Sequence, residues 1–167
     1  MNRLAPLILL LGGCSASEPS TPSRVAVLLF ITTDCPIANG FAPEINRIVA
    51  EYGPRGVAFS MVYTDRAQTA DAARRHASEY GYESPVRLDT GRVWSRKYGV
   101  TVTPEAVVLD AAGERRYRGR IDDRYLAPGR YRLQPTTREL RDAIDAVLAG
   151  RPVAVAETPA AGCPLTD

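Results

Sequence analysis

The most reactive side chains in this 167-residue chain are three cysteines, at positions 14, 35 and 163. Cys35 follows a continuous apolar run, 24–31 (RVAVLLFI), and the polar residues Thr32-Thr33-Asp34, and it precedes Pro36. That pattern sets it between a buried strand and the start of a helix. Unpaired backbone N–H groups there favour an anion, and a thiolate, the reactive form of cysteine, is one. Asp34 acts in the opposite sense, because a neighbouring carboxylate raises a thiol pKa. No Cys-x-x-Cys pair is present and His76 is the only histidine, so zinc sites of the usual spacing are excluded and no metal site is expected. A lone helical histidine is ordinarily a packing or surface residue. The net charge of +2 is too small to argue for a nucleic-acid partner, and no run of like charges suggests a binding tail.

The elements that must position these groups follow from periodicity. After the 24–31 strand, a helical pattern runs over 36–52, with a kink or restart expected at Pro43. A second buried strand covers 57–63, and a second helix covers 69–80, closed by Gly81. A short strand at 86–88 and a short helix at 91–98 lead through Thr103-Pro104 into a strand at 106–109. A turn at 110–114 returns the chain as a strand at 115–119. Residues 121–135 read as a long loop, and Thr136-x-x-Glu139 as a capping box before a last helix that ends at Gly150. The remainder, 151–167, reads as an extended tail. The sum is an α/β domain over 24–150, with parallel βαβ strands completed by an antiparallel hairpin and a helix, which is the order of the thioredoxin fold.

Topology adds two candidates. The 115–119 strand returns toward the Cys35 end of the sheet, so Arg120 stands either as a guanidinium able to hold a peroxide or sulfenate oxygen there, or as a surface arginine. Cys163 lies 13 residues beyond Gly150. An extended tail of that length spans up to about 43 Å, enough to come back along a final helix of about 20 Å. Cys163 is thus a candidate resolving thiol. A disulfide to another protein and a free tail thiol are the alternatives.

The segment Phe30-x-x-x-x-Cys35-Pro36 resembles the site of the thioredoxin-like superfamily, and Thr103-Pro104 resembles its cis-proline loop, which would flank substrate. Asp34-Cys35-Pro36-Ile37-Ala38 and Gly119-Arg120-Ile121-Asp122-Asp123 resemble bacterial proteins of the redoxin and peroxiredoxin-like branch. Thr32 matches the Thr or Ser that peroxiredoxins carry three residues before the reactive cysteine, whereas Leu28 stands where they carry proline and Ala38 where thioredoxins carry a second cysteine. The resemblance implies a thiol-dependent redox protein without a bound cofactor, acting through Cys35 on a peroxide or disulfide, with an external thiol or protein dithiol as partner. A copper-handling or non-catalytic interaction module, with Cys35, Cys163 and His76 as a soft Cu(I) site, is the rival reading.

The N-terminus carries one charge, an apolar run at 4–11 and Leu11-Gly12-Gly13-Cys14. The run is too short to span a bilayer. This layout is that of a secretory signal and resembles the lipobox of bacterial lipoproteins. It implies a signal peptide at 1–13, lipid on Cys14, a Ser/Pro tether at 14–23 and a location in the cell envelope.

Overall fold

The computed structural model describes residues 24–127 and 129–165; the expected signal peptide, Cys14 and the expected tether lie outside the described residues. The apolar run forms β1 (Ala26–Ile31), whose side chains pass alternately to the two faces of a sheet. A parallel neighbour on one side is β2 (Ala58–Tyr63), which in turn pairs parallel with β3 (Val86–Leu88). On the other side β1 pairs antiparallel with β5 (Glu105–Leu109), and β5 with β6 (Arg115–Gly119). The five strands stand in the order β3-β2-β1-β5-β6.

Both faces of β1 are covered. Val27, Leu29 and Ile31 pack with Ile45 and Ile48 of α2 (Ala42–Tyr52), Ala73 of α3 (Ala70–Glu79) and Leu140 and Ile144 of α5 (Glu139–Leu148). Leu28 and Phe30 pack with Val107, Val100 and, from α4 (Val93–Tyr98), Trp94 and Tyr98. This two-sided burial is why the run reads as uninterrupted apolar sequence.

The restart expected near Pro43 occurs. A short α1 (Pro36–Gly40) ends at Phe41, and Pro43 falls in the first turn of α2, where its missing N–H costs nothing. Thr69 caps α3 by accepting the Ala72 N–H at 3.2 Å.

Two expectations for the second half are corrected. The 121–135 segment holds a small hairpin, β7 (Tyr125–Ala127) with β8 (Arg130–Tyr131). Its Tyr125 packs on Phe41 and over Gly40, where a Cβ would sit 3.1 Å from the tyrosine Cζ. The Thr136–Glu139 capping box does not form, and α5 starts after Arg138 without a side-chain cap. Asp123 takes the donors instead: it accepts the backbone N–H of Thr136 (2.6 Å) and Thr137 (3.0 Å) together with the Thr136 hydroxyl. A carboxylate is the stronger acceptor, and these bonds with Arg132 outweigh burial and hold the Asp123 carboxyl down at about 2. Burial works against that shift, so the hydrogen bonds and the guanidinium decide it.

The tail does not simply trail away. It runs beside β6 and finishes in β9 (Cys163–Pro164), which pairs antiparallel with β4 (Val102–Thr103).

Candidate active site

Cys35 is the residue that caps α1, in extended conformation (φ −79°, ψ 110°), with Pro36 opening the helix. Its side chain is fully buried. The Cys35 Sγ–H donates to the carbonyl oxygen of Thr103 at 3.1 Å. The Thr103–Pro104 peptide bond is cis. The Thr32 and Thr103 hydroxyls meet at 3.2 Å. Beside the proline, buried Glu105 accepts the Thr101 N–H at 3.0 Å and braces the approach to that loop. Burial pushes the Glu105 carboxyl up, more than its hydrogen bonds and Arg118 pull it down.

The strand pairing of β4 with β9 sets Cys163 directly across from Thr103. That brings its thiol onto Cys35. Burial, the hydrogen bond with Cys35, and the charges of Cys35 and Asp34 push the Cys163 thiol up to about 12. Both cysteines are free thiols. Close approach of the two backbones is possible because residue 162 is glycine: a Cβ there would lie 2.7 Å from the Thr103 carbonyl carbon and closer still to its oxygen.

Of the residues singled out in the sequence, Thr32, Cys35, Thr103, Pro104 and Cys163 are thus assembled at one place. Arg120 is engaged elsewhere. Its guanidinium forks onto Glu139 at the head of α5, with Nε to Oε1 at 2.7 Å, because a carboxylate lies in reach of the strand end that carries it. The cations at the mouth of the site are ones that sequence reasoning missed. Arg66 and Arg92 line a cleft of about 260 Å³ together with Thr32, Asp34, Asp65 and Cys163. No local motif marks them, since one lies in the loop after β2 and the other before α4.

Behind Cys35, His76 closes a buried polar chain. The Asn39 amide donates to the Thr33 carbonyl at 3.0 Å, which turns its oxygen toward His76 Nε2, also at 3.0 Å. Nε2 therefore carries the proton and donates, and Nδ1 accepts from the Tyr63 hydroxyl at 2.9 Å. Both ring nitrogens are spoken for, so the imidazole does not complete a Cu(I) site with the two cysteines. Among the described residues no group of three or more His, Cys, Asp or Glu is placed to hold a metal.

Burial holds the His76 imidazole below its ordinary value. The unfolded chain binds a proton near pH 6.5 that the folded ring refuses. Stability from this source is complete above that pH and falls as pH drops below it. Denaturation midpoints at about pH 7.5 and about pH 5.5 should therefore separate more in the parent than in His76→Gln. Equal separations would exclude His76 as the source.

A family model described as Redoxin matches residues 11–125. No curated protein matches the sequence. Among solved structures, an uncharacterized conserved protein from Geobacillus kaustophilus is 28% identical, with a TM-score of 0.76 over 87% of this chain and 78% of that one. A hypothetical protein from Sinorhizobium meliloti 1021 is 27% identical, with a TM-score of 0.75 over 86% and 79%. A putative thiol:disulfide interchange protein DsbE from Chlorobium tepidum shares the fold at 22% identity, with a TM-score of 0.59 over 76% and 82%. The sheet order, the cis bond at Thr103–Pro104 and a match over most of the length agree with one another, and the chain belongs to the Redoxin family, with a thioredoxin-like fold.

Proposed function

We propose that the protein is a two-cysteine thiol oxidoreductase in which Cys35 attacks and Cys163 resolves. The observation that carries this reading is the pairing of β4 with β9, which sets the tail thiol against Cys35.

Cys35, as thiolate, attacks the near oxygen of a peroxide. It becomes a sulfenic acid, and the alkoxide or hydroxide leaves. With a disulfide substrate, it forms a mixed disulfide and releases the other half as thiolate. In either case the sulfur of Cys163 then displaces the group held on Cys35. A Cys35–Cys163 disulfide forms, and the Cys163 proton leaves with the displaced group as water or as a thiol. An external dithiol returns the pair to two thiols and is itself oxidised to a disulfide. Part of what pushes the Cys163 thiol up is the hydrogen bond and charge of Cys35 itself, and oxidation of Cys35 removes that charge, which suits a second-step nucleophile that acts only after Cys35 carries a leaving group.

Thr32 reaches the loop across Cys35, and Arg66 and Arg92 line the mouth where charge would develop on an incoming oxygen or sulfur. An oxidising location suits this chemistry, as export and lipid on Cys14 would provide. No helix among the described residues is long and apolar enough to cross a membrane.

Intact-mass spectrometry after one equivalent of peroxide, or of a small disulfide, tests the scheme. The parent should lose two hydrogens, and Cys163→Ser should trap a sulfenate or a mixed disulfide on Cys35. A Cys35 that accumulates oxygen equally in parent and variant would remove Cys163 from the scheme.

A further inference from the structure

The tail reaches Cys35 by way of a fixed point on β6. Arg118 donates its backbone N–H to the Ala156 carbonyl at 2.9 Å, and Thr158 donates its own to the Arg118 carbonyl at 3.1 Å. Glu157 between them is gripped by Arg118 (3.1 Å) and Arg115 (2.7 Å). The Thr158 hydroxyl closes a ring. The Arg120 N–H donates to Thr158 Oγ1 at 3.2 Å, and the Tyr117 hydroxyl donates to the Arg120 carbonyl at 2.7 Å. The remaining contact, Thr158 Oγ1 to Tyr117 Oη at 2.7 Å, is then donated by Thr158. Each hydroxyl gives one hydrogen bond and takes one. Gly119 lets the backbones meet: a Cβ there would sit 2.5 Å from the Thr158 carbonyl oxygen and 2.9 Å from its nitrogen.

We propose that Thr158 is a positioning residue for the Cys35–Cys163 reaction, fastening the tail so that Cys163 is presented at Cys35 and Cys35 is covered between turnovers. This rests on the two-cysteine reading above. The anchor acts through effective concentration. With Thr158 fastened, five residues of chain separate the fixed point from Cys163; unfastened, 13 separate it from Gly150. Closure probability falls as about the −3/2 power of length, so release of the whole 156–158 anchor lowers the effective concentration of Cys163 by up to about fourfold. The same release uncovers the Cys35 thiol, which is fully buried while the tail is seated.

The test is the equilibrium Cys35–S–S–Cys163 + 2 GSH ⇌ Cys35–SH + Cys163–SH + GSSG. It is read in the parent, in Thr158→Val and in Thr158→Ser. Alkylation of Cys35 by iodoacetamide is read for the same three sequences carrying Cys163→Ser. The valine keeps the shape and removes the hydroxyl; Tyr117 keeps its acceptor on Arg120. The expected result is a disulfide easier to reduce in Thr158→Val, by up to about fourfold, Cys35 alkylation faster in the same variant, and parent values in Thr158→Ser. Thr158→Ala, which removes the same hydroxyl from a part-buried position without adding bulk, should reproduce the valine result, and it keeps the test decisive if Thr158→Val folds poorly. An unchanged equilibrium together with unchanged alkylation overturns the proposal, as does a serine variant that behaves like the valine. If the parent forms no Cys35–Cys163 disulfide, the two-cysteine reading fails. The alkylation rates then still decide whether Thr158 holds the tail over Cys35.

Discussion

Gly162→Ala is expected to slow formation of the Cys35–Cys163 disulfide by about ten- to a hundredfold while leaving the melting temperature nearly unchanged. Gly162 has no special backbone angle to defend; what it lacks is a side chain. A methyl group there falls 2.7 Å from the Thr103 carbonyl carbon and 3.2 Å from the Pro104 nitrogen, both of them backbone atoms that cannot swing aside. Seating the tail would require forcing an extra methyl into a packed contact, which costs roughly 1–3 kcal/mol. Each 1.4 kcal/mol is about a factor of ten in the seated population. The same carbonyl accepts the Cys35 thiol, so unseating the tail also leaves Cys35 open to small electrophiles. The cost falls on a two-residue strand at the edge of the core, where only the half-buried Cys163 packs against it, which is why the melting temperature should hardly move. Stopped-flow measurement of disulfide formation after a peroxide pulse, beside a thermal melt, checks both halves. A variant that forms the disulfide at the parent rate would show that β9 is not the route by which Cys163 reaches Cys35.

Asp89→Ala should lower the melting temperature by roughly 10 °C. Asp89 is buried at the end of β3 and acts as the acceptor for the head of α4. It takes the backbone N–H of Trp94 (3.0 Å) and Ser95 (2.8 Å) and the Ser95 hydroxyl (2.6 Å). Ser95 is itself buried, so water does not replace the lost acceptor freely. A lost cap costs about 0.5–2 kcal/mol and each orphaned buried donor about 1–3 kcal/mol, so the loss is on the order of 3 kcal/mol. That is a large part of the 5–15 kcal/mol typical of a domain. The effect reaches the site, because α4 hands the chain through Gly99 to β4 and Thr103. Circular-dichroism melts of the parent and of Asp89→Ala suffice, and a shift below about 2 °C would show that the carboxylate is dispensable.

Much of the site was legible because it is local. Thr32, Cys35 and Pro36 occupy one turn of chain, and the strand-to-helix junction follows from the apolar run before them and the helical period after them. Thr103-Pro104 stands out by its resemblance to the cis-proline loop of the thioredoxin-like superfamily, just before a strong strand. What could not be read was which groups win when several compete across the fold. Arg120 pairs with Glu139, nineteen residues on, and Asp123 captures Thr136, the residue expected to cap the last helix. Both outcomes depend on how the hairpin end meets the helix start, which no period encodes. For Cys163 the length of the tail established reach. Its seat depends on two glycines, Gly119 and Gly162, whose value lies in contacts made by other parts of the chain. The β7–β8 hairpin leaves no periodic signal, because its strands, three and two residues long, are too short to show alternation.

The segment fastened to β6 has a consequence apart from thiol chemistry. A sheet ends in rows of unpaired N–H and C=O groups, and long exposed rows invite pairing with another molecule. At one end of this sheet the problem is limited by brevity, since β3 has three residues. At the other end, β6 would present five, and the tail takes up the Arg118 N–H and C=O itself. A molecule whose tail is seated is blunt on both flanks. Were the tail free, those groups would be an open template for pairing, so seating the tail at Arg118 also closes an edge at which two copies could join.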